Sequence, residues 1–233
     1  MVASPEALFA ELVASAPSRP FVTYYNEDSG ERTELSVRSL ANWVAKTHFL
    51  LTDELGLAVG DSAYLDVAAD WISVPILLGC WTAGLHIVST PAGVDVAFAP
   101  GPVDGVPDVY ATTPGSLTRS FGANVPPGVA DYVASVRPQA DAWTAVHPPA
   151  TPTDPALDGT SRADLVAVAQ ARAGALGLDR GARIATARDW RNPDDWIDTL
   201  LAPLAVGGSL VLLRGAAPDV LRRRVEQERA TLV

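Results

Sequence analysis

The chain has 233 residues, 48% of them hydrophobic, which is the length and composition of a globular protein with a sizeable core. Its formal net charge is -10, so its surface repels the phosphates of nucleic acids and anionic lipids, and we expect no nucleic-acid partner. We expect a cytoplasmic protein, because the start of the sequence lacks a secretory signal and Cys80 is the single cysteine.

The first part of the sequence predicts a helix, a β-hairpin, a second helix and then a βαβ unit. Ser36 is a plausible N-cap, and apolar residues follow it at helical spacing as far as Leu55. The predicted elements are a helix at 7–16, strands at 21–25 and 32–35, a helix at 36–55, a strand at 62–67, a helix at 71–83 and a strand at 85–89.

The uncharged stretch from Trp71 to Val88 has the length of a membrane span. Pro75, Gly79 and Gly84 interrupt it, and the rest of the chain has the pattern of a water-soluble α/β protein. We therefore expect this stretch to be part of the core and the protein to make no contact with a membrane.

The middle of the chain is rich in proline: all but seven of the 19 prolines lie between Pro91 and Pro155. Long helices cannot persist in such a segment. We expect strands at 94–99 and 108–112, a brief helix at 129–136, and an irregular connector through Pro148, Pro149, Pro152 and Pro155.

The order of elements seen at the start returns after the connector. The sequence predicts a helix at 165–176, a strand at 182–187, a helix at 192–204 with a kink at Pro203, a strand at 209–213, a helix at 218–228 and a strand beginning at 231–233.

Two short repeats link the halves: 55–60 is similar to 176–181, and Asp70-Trp71 is similar to Asp189-Trp190. We therefore predict a single α/β domain of two similar βαβ lobes, with mostly parallel sheets covered by helices. Lobe one is 1–90, a Pro-rich connector with short strands is 91–158, and lobe two is 159–233.

The series of hairpin, helix, Gly56-x-x-x-Gly60-Asp61, strand, buried helix and Ala83-Gly84 resembles the N-terminal domain of adenylate-forming enzymes, the acyl-CoA synthetase, AMP-binding and luciferase-like superfamily. The segment LLAPLAVGGSLVLL at 200–213 is similar to the part of that superfamily that follows its ATP loop. The resemblance implies the fold found at the start of an acyl-CoA synthetase N-terminal domain.

The sequence lacks the phosphate loop that the resemblance implies. In the superfamily, a loop of the form [ST]-G-[ST]-T-G-x-P-K-G holds the phosphates of ATP through backbone N–H groups and a lysine. At the equivalent place, 151–162, the carboxylates of Asp154 and Asp158 would repel a triphosphate. Lys46, the single lysine, lies on a helix of lobe one and cannot replace the missing ones. What remains is a degenerate cofactor-binding remnant consisting of Gly159, Thr160, Ser161 and Arg162.

No other catalytic pattern is indicated. His48, His86 and His147 lack the spacing of a zinc site, and no G-x-S-x-G sequence presents a serine nucleophile. We expect no catalytic residue, no metal and no cofactor. Asp70 and Asp189 follow strands, where α/β sheets bind ligands, but we interpret both as helix caps beside packing tryptophans.

Three hypotheses for function stay open. The first is a truncated, non-catalytic relative of adenylate-forming enzymes that serves as an interaction or regulatory module, with a protein partner or as a homodimer paired through the strand at 231–233. The second is a protein that binds a nucleotide, an acyl group or CoA without turnover. The third is half of a split ligase that a partner polypeptide completes.

Overall fold

The computed structural model describes residues 4–112, 120–142 and 149–233. His147 and Pro148, which the sequence analysis names, lie outside the described residues.

Eight α-helices are present in these ranges. Ser4, Ser36, Asp131 and Ser161 each begin a helix by accepting a backbone N–H with the side chain, as N-cap residues do. The helices are α1 (Pro5–Ser15), α2 (Val37–Phe49), α3 (Ser73–Thr82), α4 (Tyr132–Val136), α5 (Arg162–Ala175), α6 (Pro193–Trp196), α7 (Ala202–Ala205) and α8 (Pro218–Glu228).

Two helices predicted as continuous contain a π-helical turn. One follows α2 at Leu50–Glu54, and the other joins α6 to α7 at Ile197–Leu201. Pro203 has no N–H to donate, and the change of hydrogen-bond pattern lies just before it, where the kink was predicted. The helix ends at Ala205, close to its predicted end.

The first sheet has five strands in the order β12-β10-β11-β1-β2. All neighbours in it are parallel except the hairpin β1-β2. Its strands are β1 (Pro20–Asn26), β2 (Glu31–Ser36), β10 (Arg183–Thr186), β11 (Ser209–Arg214) and β12 (Thr231–Leu232).

The second sheet has seven strands in the order β7-β6-β5-β3-β4-β8-β9. It is parallel except for the hairpin β8-β9. Its strands are β3 (Ser62–Leu65), β4 (His86–Val88), β5 (Val96–Phe98), β6 (Val109–Ala111), β7 (Ala130–Asp131), β8 (Pro155–Leu157) and β9 (Thr160–Ser161). Together the sheets confirm the predicted α/β class with mostly parallel strands flanked by helices.

The hydrogen-bonded sheets cross the lobe boundaries drawn from the sequence. β1 pairs with β11 in the register Val22↔Leu210, so the N-terminal hairpin belongs to the sheet of the last 75 residues. The side chains of β1 are buried from Phe21 to Asn26, and a strand buried on both faces is stable only between other strands under helices. In turn β8 and β9, which flank residue 159, extend the sheet of the first lobe.

The uncharged stretch that begins at Trp71 lies in the core over α3, as predicted. α3 packs against α2, and nine of its ten residues are buried. Within the described ranges, no helix is both long enough and apolar enough to cross a membrane.

Candidate functional site

The residues predicted to be a remnant of the phosphate loop begin in a tight hairpin between β8 and β9. Asp158 and Gly159 form its turn with φ of 44° and 81°, both in the left-handed region. The carboxylate of Asp158 accepts the backbone N–H of Ser89 at 2.7 Å and also the hydroxyl of Ser89. The acid predicted to repel a triphosphate therefore fastens the hairpin to the segment after β4.

Ser161 uses its hydroxyl at the start of α5. It accepts the N–H of Asp164 at 3.1 Å and donates to the carboxylate of Asp164 at 2.7 Å. These contacts place the Asp164 carboxylate at the end of the helix where N–H groups would otherwise attract an anion.

Arg162 is fully buried, with an exposed fraction of 0%. Its guanidinium donates to the Glu6 carboxylate at 2.8 Å, and to the carbonyl oxygens of Trp81 and Leu85 at 3.0 Å each. Burial raises the pKa of the Glu6 carboxyl, and the positive charge of Arg162 opposes that rise. The arginine thus joins α1, the end of α3 and the entry to β4, which is a structural role.

Lys46 lies on α2, as predicted. Its ammonium donates to the carbonyl oxygens of Arg137, at 2.9 Å, and of Gln139. These contacts tie α2 to the end of α4.

The structure places a different set of polar residues around a cleft where the two sheets meet. The loop after β3 supplies Asp66 and Asp70, the loop after β10 supplies Asp189 and Arg191, and the end of β11 supplies Arg214. The carboxyl ends of parallel strands are where α/β folds bind ligands. We call this cavity of about 420 Å³ the carboxyl-end cleft; it is lined by Asp66, Val67, Ala68, Asp70, Ser73, Pro100, Thr112, Asp189, Trp190, Arg191 and Arg214.

Hydrogen bonds hold the walls of the carboxyl-end cleft together. Asp189 accepts the N–H of Ala69 at 3.2 Å, which links the loops of the two sheets. The hydroxyl of Ser73 donates to the carbonyl of Ala68 at 2.7 Å, and the indole N–H of Trp190 donates to the hydroxyl of Thr199 at 2.9 Å. The backbone around the cleft is therefore fixed by the fold.

Asp70 lies on the floor of the cleft and is 4% exposed. The hydrogen bond that its carboxylate accepts from the Ile72 N–H is long, at 3.4 Å. Burial raises the pKa of Asp70 to about 6, and the negative charge of Glu31 contributes to the rise. Behind it, burial and the negative charge of Asp70 raise the pKa of Tyr24.

The interpretation of Asp70 and Asp189 as helix caps is wrong. The N-cap position of α3 is Ile72, which forms no side-chain cap. At α6 the cap is Asn192, which forms a capping box with Asp195. Of the N–H groups at the start of α3, the Asp70 carboxylate accepts that of Ile72, at 3.4 Å, and the Asp189 carboxylate accepts those of Trp190 and Ala69, which lie outside α6. Both carboxylates line the cleft. Their neighbours Trp71 and Trp190 are buried, at 1% and 5% exposed, as predicted for packing residues.

A second, larger cavity of about 790 Å³ lies between α1 and α2. Its walls are mainly apolar and small, including Ala10, Ala14, Ala41 and Ala45. None of the remnant residues 159–162 lines this cavity or the carboxyl-end cleft. In the described part of the chain, no group of three or more His, Cys, Asp or Glu side chains could hold a metal ion.

One protein in a comparison with curated sequences matches along nearly its whole length. It is a TIGR03089 family protein of Mycobacterium tuberculosis, 33% identical over 237 residues, with 97% of this chain and 96% of the relative covered. The chain belongs to the TIGR03089 family. No protein-family model matches the chain.

Comparison with solved structures shows which fold the chain has. A Brucella canis acyl-CoA synthetase matches with a TM-score of 0.76 at 18% identity, over 98% of this chain and 46% of the synthetase. NpsA-ThdA, an artificially fused adenylation-PCP di-domain NRPS from Klebsiella oxytoca, matches with a TM-score of 0.70 at 15% identity, over 100% of this chain and 43% of the fusion. The predicted acyl-CoA synthetase-like fold is confirmed, and the chain spans less than half the length of these structures.

Proposed function

We propose that this TIGR03089 family protein is a non-catalytic relative of adenylate-forming enzymes and acts as an interaction or regulatory module. The observation that carries this proposal is the use of the loop remnant by the fold itself. Asp158 fastens its hairpin to Ser89, Ser161 caps α5, and the guanidinium of Arg162 bonds to Glu6 and two carbonyls at full burial. None of these groups is available to a triphosphate without a loss of stability.

Electrostatics supports the same proposal. Attack on a phosphate needs positive charge held where the negative charge develops. The carboxyl-end cleft instead has three carboxylates in its lining, those of Asp66, Asp70 and Asp189, and two guanidinium groups, those of Arg191 and Arg214. Lys46 is held at carbonyl groups near α4.

A second candidate function is half of a split ligase that another polypeptide completes. It is favoured by coverage, since the chain spans 46% and 43% of the two solved structures that it resembles. In this case the missing phosphate loop and lysines come from the partner.

Isotope exchange between pyrophosphate and ATP tests both proposals. The purified protein is assayed with Mg²⁺ and a panel of carboxylic acids, alone and together with proteins that co-purify with it, beside an active acyl-CoA synthetase as positive control. We expect exchange at the level of buffer in both cases. Exchange by the protein alone overturns the non-catalytic proposal, and exchange only with co-purified proteins supports the split ligase in its place.

A binding measurement on the same purified protein shows whether it still binds a nucleotide or CoA. Calorimetric titration with ATP, AMP and CoA is expected to give no heat beyond dilution. Heat with any of these ligands, together with the absence of pyrophosphate exchange, supports a binding protein without turnover and contradicts the proposal of a pure interaction module.

The interaction module is proposed to pair as a homodimer through the edge strand β12. Its Leu232 is 51% exposed, and among the described strands β12 has a hydrogen-bonded neighbour only on its β10 side. An exposed strand edge favours pairing with another strand. Light scattering at micromolar concentration is expected to give twice the chain mass of 24.4 kDa, and Leu232→Lys to give the monomer. A monomer for the unmodified protein contradicts the homodimer.

A further inference from the structure

Among the described residues, Asp70 differs from the other buried aspartates in having neither an ion pair nor a backbone hydrogen bond shorter than 3.4 Å. Asp198, which is 7% exposed, forms ion pairs with Arg172 at 3.0 Å and Arg188 at 3.1 Å. Asp131, also 7% exposed, accepts the N–H groups of Phe121 at 2.6 Å and Ala134 at 3.2 Å. Asp70 is more deeply buried than either, and no basic side chain in the described ranges forms an ion pair with it.

In the described part of the chain, no cationic side chain forms an ion pair that would compensate the charge of Asp70. Glu31 contributes negative charge, and the buried hydroxyl of Tyr24, which lies beside the Asp70 carboxylate, is neutral. Arg214 lines the same cleft, but its guanidinium is exposed and forms no ion pair with Asp70. A desolvated carboxylate costs free energy unless a cation or several donors approach it.

The cleft is the open route to Asp70. The aspartate lies among the residues that line it, with Asp66 and Asp189 on the exposed rim. Buried ionisable groups without structural partners, situated in a cavity, are typical of functional sites. A volume of about 420 Å³ is within the range of pockets that admit small organic ligands.

We propose that the carboxyl-end cleft binds a small organic molecule through a primary ammonium group, which donates to the Asp70 carboxylate. An ammonium group is compact, carries three donors and no acceptor, and so complements a buried carboxylate that has no ion pair. This inference goes beyond the proposed function, since it assigns a ligand class to the cleft and involves no reaction.

Calorimetric titration with n-butylammonium chloride at pH 8 tests the proposal, with n-butanol and sodium butyrate as probes of the same length. We expect saturable heat with butylammonium alone. Asp70→Asn is expected to weaken binding at least tenfold, because it removes the buried charge and keeps the shape. Asp179→Asn, the same change at an exposed position outside the cleft, is expected to leave the Kd within twofold.

The pH dependence gives a test that needs no variant. Since the pKa of Asp70 is about 6, about one molecule in ten keeps this carboxylate ionised at pH 5, so the affinity for butylammonium is expected to fall about tenfold between pH 8 and pH 5.

Three results would overturn the proposal: no heat with butylammonium, the same affinity in Asp70→Asn as in Asp179→Asn, or stronger binding of butyrate than of butylammonium. Circular dichroism of each variant shows whether it is folded. If Asp70→Asn is unfolded, the pH series on the unmodified protein tests the proposal instead. Any of these results leaves the pyrophosphate-exchange test of the proposed function unaffected, so the two proposals fail separately.

Discussion

Replacing Arg162 by alanine is expected to lower the free energy of unfolding by about 3 to 5 kcal/mol, since removing one partner of a buried ion pair leaves the other uncompensated. The change leaves the Glu6 carboxylate without its cation and the carbonyls of Trp81 and Leu85 without their donor. It also opens a cavity where a fully buried side chain joined α1, α3 and β4. Urea unfolding followed by tryptophan fluorescence measures the loss.

One further variant separates charge from geometry at this position, and another, at an exposed arginine, is a control. Arg162→Lys keeps a cation near Glu6 but lacks the planar guanidinium that reaches three acceptors, so we expect a smaller loss than for alanine. Arg180→Ala removes an exposed arginine, and its effect is expected to stay within about 0.5 kcal/mol. If Arg162→Ala unfolds at the same urea concentration as Arg180→Ala, the structural role assigned to Arg162 is contradicted.

Most long elements could be predicted from the sequence because their signals are local. α8 was predicted at its observed bounds, from a proline at its start and helical spacing after it. The short strands β8 and β9 were missed, since two or three residues carry no periodicity. The pairing of β1 with β11 was missed for another reason: it joins residues nearly 190 positions apart, and no local pattern specifies such a partner.

The site shows the same division between local and distant information. The sequence indicated that Asp70 and Asp189 follow strands, because that is a matter of order along the chain. It could not show that Asp70 lacks a cation, which depends on side chains that the fold brings near. The structural role of Arg162 could not be predicted for the same reason, since its partner Glu6 lies 156 residues away in the sequence.

Asp70→Asn is expected to raise the free energy of unfolding at pH 7.5 by about 2 to 3 kcal/mol. The pKa of Asp70 is about 6 in the folded chain against a usual value of 3.8, and each unit of difference corresponds to about 1.4 kcal/mol. The folded state therefore binds the proton more tightly, so this group costs stability progressively as the pH rises from about 4 to 6, and the full cost is present above that. Asparagine carries no charge, and its amide can donate to the Tyr24 hydroxyl.

Thermal and urea unfolding of Asp70→Asn and of the unmodified protein between pH 4 and pH 8 measure this difference. The two curves are expected to converge near pH 4, where the aspartate is protonated, and Asp179→Asn is expected to follow the unmodified protein throughout. A loss of stability in Asp70→Asn at pH 7.5 would mean that the carboxylate supports the fold. A gain would mean that the fold tolerates a costly charge at the cleft, which is expected where a group is retained for binding at the expense of stability.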